Sequence, residues 1–133
     1  LVTVIRIVAA VVIADDGRLL VVRKRGTTTF MQPGGKIEPG EAPADAVVRE
    51  VREELGVGVV GVRELGHHRA IAANEPGHTV DAQLFAVELD GVPGVAAEIE
   101  ELAWIDPCDP GDIALAPLTV GAVFDWVRSR PRG

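Results

Sequence analysis

The hydrophobic positions of the chain fall into blocks that are separated by glycine, proline and acidic residues. Residues 2–14 alternate or run apolar and are rich in Val and Ile, a pattern that predicts a β-strand. The turn sequence Asp-Asp-Gly at residues 15–17 leads into a second apolar run at residues 19–22, which predicts a β-hairpin. Residues 26–40 contain four glycines and two prolines, and these predict an irregular loop whose backbone can approach other groups closely.

A helix and three further strands are predicted after this loop. Pro43 is typical of the first turn of a helix and Gly56 of the position just past its end, which predicts a helix of about a dozen residues. Residues 57–62 and 79–89 are predicted strands, and a short strand is expected around Trp104.

Residues 118–128 complete the pattern with a predicted second helix. Its apolar side chains recur at helical spacing: Val120, Val123, Phe124 and Val127. The apolar start, residues 1–14, resembles a secretory segment, but Arg6 interrupts it and an acidic turn follows, so we interpret it as a strand. Together these elements predict a mixed α/β fold in which a sheet lies between helices.

Length and composition indicate one globular domain over residues 1–133. The 133 residues, 47% of them hydrophobic and 25% charged, suffice for a single core, and no stretch is apolar enough to span a membrane. The single cysteine, Cys108, excludes an internal disulfide, fits a cytoplasmic protein and is interpreted as a bystander thiol.

The net charge of −7 argues against binding to a nucleic-acid duplex, because that requires clustered Lys and Arg. An acidic protein can still take a small anionic ligand if local basic groups or a bound cation offset the repulsion. The sequence leaves open whether the chain forms a homodimer.

The first predicted helix presents two different faces. Apolar side chains form one stripe that is predicted to pack on the sheet: Ala44, Val47, Val48, Val51 and Leu55. Glu50, Glu53 and Glu54 lie at i, i+3 and i+4, so they share another face on which like charges repel. One interpretation is a solvated acidic face, and the other is a site where a cation removes the repulsion.

Clustered carboxylates are the ligands that hard cations select. Mg²⁺ takes one or two carboxylates and shares its other positions with water and substrate phosphates, and Mn²⁺ is an alternative ion. Arg49 lies four residues before Glu53 and eight after Glu41, so it can cross-link carboxylates on the helix flank. The adjacent Gly34 and Gly35 allow a main-chain carbonyl to come near the same place.

Residues 35–57 read GKIEPGEAPADAVVREVREELGV and match the Nudix box, G-x5-E-x7-R-E-U-x-E-E-x-G-U with U aliphatic, at every fixed position. The chain therefore resembles the Nudix hydrolases, and the elements around the box follow the order of that family's α/β/α sandwich, which implies a mixed central sheet between helices. The resemblance implies a Mg²⁺-dependent hydrolase that cuts a phosphoanhydride bond in a nucleoside diphosphate linked to another group. Its partner would be a small nucleotide.

The resemblance also assigns roles within the box. Gly35 would supply a carbonyl to the metal, and Glu50, Glu53 and Glu54 would supply carboxylates. Family members differ in which carboxylate deprotonates the attacking water, and we place Glu50 first and Glu53 second.

Further roles follow for residues beside and beyond these ligands. Glu41 and Arg49 would orient the carboxylates. Many family members recruit another carboxylate just before a strand tryptophan, and here Glu98 is the first choice and Glu101 the second, with Glu100 as a third candidate. Ordinary surface charge is the alternative interpretation of all three.

Basic and aromatic residues before the box are candidates for substrate binding. At least one of the three cations at residues 23–25 could face the phosphates; alternation along a strand sends Arg23 and Arg25 to one face and Lys24 to the other, and we take the two arginines as the candidates. A solvated strand end is the alternative. Phe30 could stack on a base or anchor the loop. Residues 74–78 are predicted to form a loop over the site.

Histidines and tryptophans outside the box receive simpler interpretations. His67 and His68 are adjacent, so on a strand they point to opposite faces and at most one of them faces the substrate. Trp104 and Trp126 are interpreted as core residues.

Substrate specificity depends on residues outside the box. The chain lacks the downstream tyrosine of diadenosine polyphosphate members, and Ala72 stands where ADP-ribose-type members carry a proline. Its shortness and its basic strand resemble the small members that act on nucleoside triphosphates, with nucleotide sugars or dinucleotide cofactors as alternatives. A non-catalytic Nudix-fold module that binds nucleotide is a second hypothesis, but the complete ligand set favours an enzyme.

Overall fold

The computed structural model describes residues 3–130, which contain seven strands and two α-helices. In chain order these are β1 (Thr3–Val11), β2 (Leu19–Lys24), β3 (Phe30–Met31), β4 (Gly34–Lys36), α1 (Pro43–Leu55), β5 (Gly58–Ile71), β6 (His78–Asp90), β7 (Ile99–Ile105) and α2 (Phe124–Ser129). A π-helical turn at Thr119–Val123 leads directly into α2, so the helix predicted at residues 118–128 is present with a wider first turn. None of the helices in the described range is long and apolar enough to cross a membrane.

The strands form two sheets. The larger has the order β4-β1-β6-β5 and is mixed, because β1 and β6 run parallel while β4 and β5 pair antiparallel with their neighbours. The smaller is antiparallel with the order β3-β2-β7. The mixed sheet predicted from the sequence is therefore present, accompanied by a second sheet.

The prediction that β1 and β2 form a hairpin is wrong: the two strands meet at the turn but do not pair along their length. Ile13 and Leu19 form one isolated antiparallel bridge, and the Leu20 N–H donates to the Val12 carbonyl at 2.9 Å. Beyond that point the strands enter different sheets. Residues 8–11 of β1 and 19–22 of β2 are buried on both faces, and each strand becomes the inner strand of its own sheet rather than half of a two-stranded ribbon.

Alternate side chains of β1 and β2 enter two separate hydrophobic cores. One core lies against α1 and contains Val8, Ala10, Leu20, Val22, Ala46, Val47, Val51 and Leu55. The other lies against the C-terminal helical segment and contains Ala9, Val11, Leu19, Val21, Leu118, Val123 and Phe124. The predicted sandwich, with strands between helices, follows from this two-sided burial.

Helix α1 begins and ends where the sequence predicted, but its buried stripe is rotated. Pro43 occupies the first turn, and Gly56 caps the C-terminus in the left-handed conformation with φ 67°. Ala44, predicted to be buried, is exposed, and Ala46 is buried in its place. Glu54 also belongs to the buried stripe, and a hydrophobic pattern does not predict a buried glutamate.

Two other predictions of segment type need correction. The loop predicted at residues 26–40 contains β3 and β4, which are short edge strands that form by pairing with β2 and β1. Strand β5, predicted to end near residue 62, continues to Ile71 because it pairs with β6 along its whole length. Register shifts between Val59 and Gly61 and between Glu64 and Gly66 disturb its alternation, which hides the strand from a period-two pattern.

Candidate active site

A cleft of about 660 Å³ lies where the start of β1, the β4 backbone and the outer face of α1 meet. Residues 72–75, which join β5 and β6, form part of its wall, so the loop predicted over the site does reach it. The side chains that carry its chemistry come from several segments: Lys24, Arg25, Gln32, Lys36, Arg49, Glu50, Glu53, Asn74, Glu98 and Thr119.

Arg49 fixes the carboxylates on the flank of α1. Its Nε donates to Glu41 Oε2 at 2.8 Å and its Nη2 to Glu41 Oε1 at 2.9 Å, while its Nη1 donates to Glu50 Oε1 at 2.7 Å. The hydrogen bond from Arg49 and a second from the Glu38 backbone lower the pKa of Glu41 to about 2. Arg49 therefore bridges Glu41 and Glu50 and restricts the orientation of both carboxylates.

Glu54 is a buried carboxyl with an unsatisfied atom. Its side chain is 2% exposed, and its Oε1 accepts a hydrogen bond from the Gly34 N–H at 3.3 Å. Its Oε2 has no hydrogen-bond partner among the described residues. Burial, followed by the neighbouring Glu50 carboxyl, raises the pKa of Glu54 far above its ordinary range.

Gly34 and Gly35 supply the close backbone approach that the two carboxyls require. A Cβ on Gly35 would lie 2.8 Å from the carboxyl carbon of Glu50, so only glycine leaves room for that side chain. A Cβ on Gly34 would collide with the Val8 carbonyl oxygen across the β1–β4 pairing.

Glu53 lies apart from this pair. Its Oε2 is 3.6 Å from Arg49 Nη1, and its side chain is largely exposed at the edge of the cleft. Within residues 3–130, no three His, Cys, Asp or Glu side chains lie close enough together to form a metal-binding group. The structure thus brings Glu50 and Glu54 together and leaves Glu53 beside them, paired with Arg49.

The residues present fit a divalent cation. Glu54, with one oxygen lacking a partner among the described residues, lies next to Glu50 and against a glycine backbone, and when both carboxyls are ionised they are hard oxygen donors whose negative charges repel each other. A cation would compensate that charge, whereas the alternative of a solvated acidic face does not explain a side chain that is 2% exposed.

Glu98 lines the cleft, but its carboxylate is already ion-paired with a lysine side chain. Its Oε1 lies 3.2 Å from Lys24 Nζ. Glu100 and Glu101 pair with Arg25 and Arg23 at 3.1 Å each, and neither glutamate lines the cleft. The structure therefore favours Glu98 over Glu101 as the carboxylate from outside the box.

Arg23 and Phe30, both expected to contact substrate, do not line the cleft. Arg23 is engaged by Glu101 and donates from Nη1 to the Thr27 carbonyl at 2.8 Å. Phe30 is buried in the core beside α2, with the Arg23 guanidinium 5.9 Å from its ring centre, so it anchors the loop. Of the three predicted substrate-binding residues, only Arg25 lies in the cleft.

Several residues of the cleft were missed by the sequence-based reasoning. Lys24 was assigned to the face opposite Arg25, yet both line the cleft, because β2 ends at Lys24 and Arg25 lies in the following turn, where strand alternation no longer applies. Gln32 and Thr119 are buried and joined by a 2.8 Å hydrogen bond between side chains far apart in sequence, which no local signal indicates.

The histidines and tryptophans lie away from the cleft. Both His67 and His68 are exposed on β5, and His67 Nδ1 lies 3.6 Å from Asp81 Oδ1 on the neighbouring β6. Trp104 and Trp126 are partly buried against the two cores, as expected of core residues.

Comparisons with known proteins match the chain to one family. Residues 4–124 fit the model of the NUDIX domain. The MutT-like protein of Streptomyces ambofaciens is 33% identical over 100 residues, which cover 75% of this chain and 62% of that protein. The CTP pyrophosphohydrolase of Escherichia coli (strain K12) is 32% identical over 120 residues, which cover 85% of this chain and 84% of that protein.

A solved structure is similar over almost the whole chain. The solution structure of the E. coli ORF135 protein has a TM-score of 0.75 and 28% identity, and the similarity covers 99% of this chain and 96% of that one. The α/β fold and the family resemblance predicted from the sequence are confirmed. The chain spans less than two thirds of the length of the Streptomyces relative.

Proposed function

The chain belongs to the Nudix hydrolase family, and from this premise we propose that it hydrolyses a phosphoanhydride bond of a nucleoside triphosphate in the presence of Mg²⁺. The observation that carries the proposal is the buried Glu54, whose Oε2 has no partner among the described residues and which lies beside Glu50, a residue of the cleft wall, and the glycine backbone. Burying a carboxyl this way costs free energy, and that cost is explained if a cation is its partner in the working protein.

Glu50, Glu53 and Glu54 would hold the cation through their carboxylates, and Gly35 would hold it through its carbonyl oxygen. When bound, a divalent cation neutralises phosphate charge and lowers the pKa of a coordinated water. Mg²⁺ is our first choice, because it keeps open positions for phosphate oxygens and water, and Mn²⁺ is the alternative.

Glu50 is the side chain we propose to take the proton from the attacking water. Arg49 holds Glu50 Oε1 at 2.7 Å, which fixes the carboxylate at the cleft wall. A fixed carboxylate suits a general base, because the proton acceptor must lie within hydrogen-bond reach of the water. Glu53 is the second choice, since it is more exposed and lies 3.6 Å from the same guanidinium.

A small nucleotide is the substrate class that the cleft supports best. Its volume of about 660 Å³ lies in the range typical of small-molecule sites. The relative named CTP pyrophosphohydrolase, which the chain covers over most of its length, supports a nucleoside triphosphate. Nucleotide sugars and dinucleotide cofactors are alternative substrates, and a cytoplasmic location and a homodimer remain predictions.

Phosphate and pyrophosphate release from a panel of nucleotides, with and without Mg²⁺ or Mn²⁺, tests this proposal. The panel would contain ribo- and deoxynucleoside triphosphates, nucleotide sugars and dinucleotides. Glu50→Gln should lower kcat by about 10²- to 10⁴-fold, because the proton acceptor is lost while shape is kept. Glu101→Gln removes a carboxylate that lies outside the cleft, so it should leave kcat unchanged.

The same panel distinguishes an enzyme from a non-catalytic module. If the wild type and Glu50→Gln were equally inert towards every nucleotide while both still bound one, the module would be the correct reading. The Glu54 and Glu50 pair would then serve binding alone.

A further inference from the structure

Strand β5 is an open edge of the larger sheet. It has 14 residues, Gly58–Ile71, and β6 is its only neighbour in the sheet order. Within residues 3–130, no backbone hydrogen bond joins residues 60–71 to any segment other than β6. A long edge with unpaired N–H and C=O groups is a template for a further strand, so proteins usually shorten, cover or protect such edges.

A register shift decides which side chains of β5 share a face. The shift after Glu64 leaves Leu65 without a partner on β6, so Gly66 takes the next β6 position. Alternate positions of β6 face opposite ways, so the β5 residues opposite its odd-numbered residues lie together on one face. These residues form a row in which all five are exposed: Val62, Glu64, His67, Arg69 and Ile71.

The row is symmetric in size and opposite in charge about His67. Glu64 and Arg69 stand on either side of it, and neither has an ion pair or hydrogen bond among the described residues. Val62 and Ile71 lie at the two ends and are 38% and 69% exposed. The row therefore offers one charge of each sign and two aliphatic side chains for which the described chain supplies no cover.

A second copy of the chain is the partner that this row fits. When β5 pairs antiparallel with β5 of another copy about a twofold axis, one residue lies opposite its own counterpart. If that residue is His67, Glu64 faces Arg69 of the second copy and Val62 faces Ile71, and symmetry repeats both pairs. The members of each pair have the same alternation relative to β6, so their backbone groups can face each other in one ladder.

Neighbouring registers are less complementary. An axis at Gly66 would place Val62 opposite Arg69, and moving the axis the other way by the same amount would place Glu64 opposite Ile71. Both alternatives set a charge against an aliphatic side chain and lose the attractive charge pairs. Opposite charges directly across antiparallel strands stabilise the pairing, as do aliphatic pairs, so the axis at His67 is favoured.

We propose that β5 is a homodimer interface, at which two copies pair antiparallel about an axis at His67. The contact joins the two four-stranded sheets into one continuous sheet and removes the open edge from both copies. Ile71 also lines the cleft, so the second copy would lie beside it. The inference does not depend on the proposed function, because the row contributes none of the carboxylates of α1.

Sedimentation velocity over a range of protein concentrations tests the inference. The wild type should form a concentration-dependent species of twice the 14.0 kDa mass of the chain. Glu64→Arg and Arg69→Glu should each raise the dissociation constant of the dimer by about 10-fold or more, because two attractive pairs become repulsive.

Arg63→Glu is the matched control for these charge reversals. It changes the net charge as Arg69→Glu does, but Arg63 lies opposite Ala86 and so belongs to the other face of β5. In the proposed dimer it would meet Ala70 of the second copy, which is uncharged, so the dissociation constant should change less. Circular dichroism of each variant checks that the fold is kept.

Mixing the two charge variants tests the register itself. In a pair made of one Glu64→Arg chain and one Arg69→Glu chain, position 64 of each copy again faces an opposite charge at position 69. The mixture should therefore form a heterodimer with nearly the wild-type dissociation constant, although each variant alone dimerises weakly.

Three results would overturn the inference. A wild type that stays monomeric at every concentration shows that the edge of β5 does not bind a second copy. A dimer that the two row variants weaken no more than Arg63→Glu does must use another surface. A mixture that fails to restore the dimer excludes the pairing of Glu64 with Arg69.

Discussion

Carboxylates occupy both sides of the cleft, but they are compensated in opposite ways. On the β7 side, Glu98 at the cleft and the adjacent Glu100 and Glu101 each pair with a cation of residues 23–25 and are well exposed. On the α1 side, Glu54 is buried, lies beside Glu50 and has an oxygen without a partner. The β7 side is compensated as the chain folds, whereas on the α1 side Arg49 bonds Glu41 and Glu50 and leaves Glu54 without an ion pair among the described residues, so it is the side that a cation would complete.

The largest effect is expected from replacing Glu54, the buried glutamate that has one oxygen without a partner among the described residues. Glu54→Gln keeps the size of the side chain but not its charge, so it should lower activity by more than about 100-fold. It should also raise the melting temperature of the metal-free protein, by roughly 5 °C or more near pH 8, because the amide is uncharged where Glu54 must be kept neutral.

The pH dependence of that stabilisation has a defined sign. Burial and the Glu50 carboxyl raise the pKa of Glu54 from 4.5 to about 9. The neutral carboxyl therefore favours the metal-free fold fully below pH 4.5, and the contribution is lost as the pH rises towards 9. Thermal unfolding at several pH values, with and without Mg²⁺, measures it. If Mg²⁺ did not change the melting temperature of the wild type at pH 8, the claim that a cation compensates Glu54 would be contradicted.

The next largest effect should come from the backbone that accommodates Glu50. Gly35→Ala places a Cβ where the Glu50 carboxyl now lies, so that side chain must move, and we expect activity to fall by up to about 100-fold. Gly94→Ala is the matched control, because its Cβ would meet no atom within 4 Å. Steady-state kinetics of both variants measure the difference, and equal activities would show that the position of Glu50 is not critical.

A smaller effect is expected where the charge is kept but the geometry changes. Arg49→Lys retains a cation but cannot bond Glu41 and Glu50 together through a planar fork, so kcat should fall roughly 10-fold. Since the pKa of Glu41 is about 2, the Glu41–Arg49 pair should remain intact down to about that pH. We therefore expect the kcat of Glu41→Gln to differ from that of the wild type at every pH above about 2. If the two kcat values differed only below pH 5, the Glu41–Arg49 pair would not be the interaction that matters.

The smallest effect is expected on the side that is already compensated. Glu100→Gln breaks an exposed pair with Arg25, so the free energy of unfolding should change by less than about 1 kcal/mol. Urea denaturation of this variant, beside Glu54→Gln in the absence of metal, compares the two sides directly. A large loss of stability in Glu100→Gln would show that the ion pairs of β7 are structurally important and that the two sides do not differ as described.

Much of the fold could be predicted because its signals are local. The bounds of α1 depend on Pro43 and Gly56, and the fixed spacing of the box placed Glu50 and Glu54 on one helix. The apolar runs of β1 and β2 indicated strands that are buried on both faces. Whether those strands pair with each other was not decided locally, and the adjacent turn favoured the wrong partner.

The sequence by itself determined which acidic residues stand together on α1 and which backbone can approach them, because helical spacing and glycine act within a few residues. Only the tertiary structure decided that Glu54 is buried with one oxygen lacking a partner and that Lys24, not Arg23, lines the cleft. The first depends on how α1 packs against the sheets, and the second on which face of β2 is turned towards the cleft. Both arise from contacts between segments distant in the chain, where the local pattern carries no information.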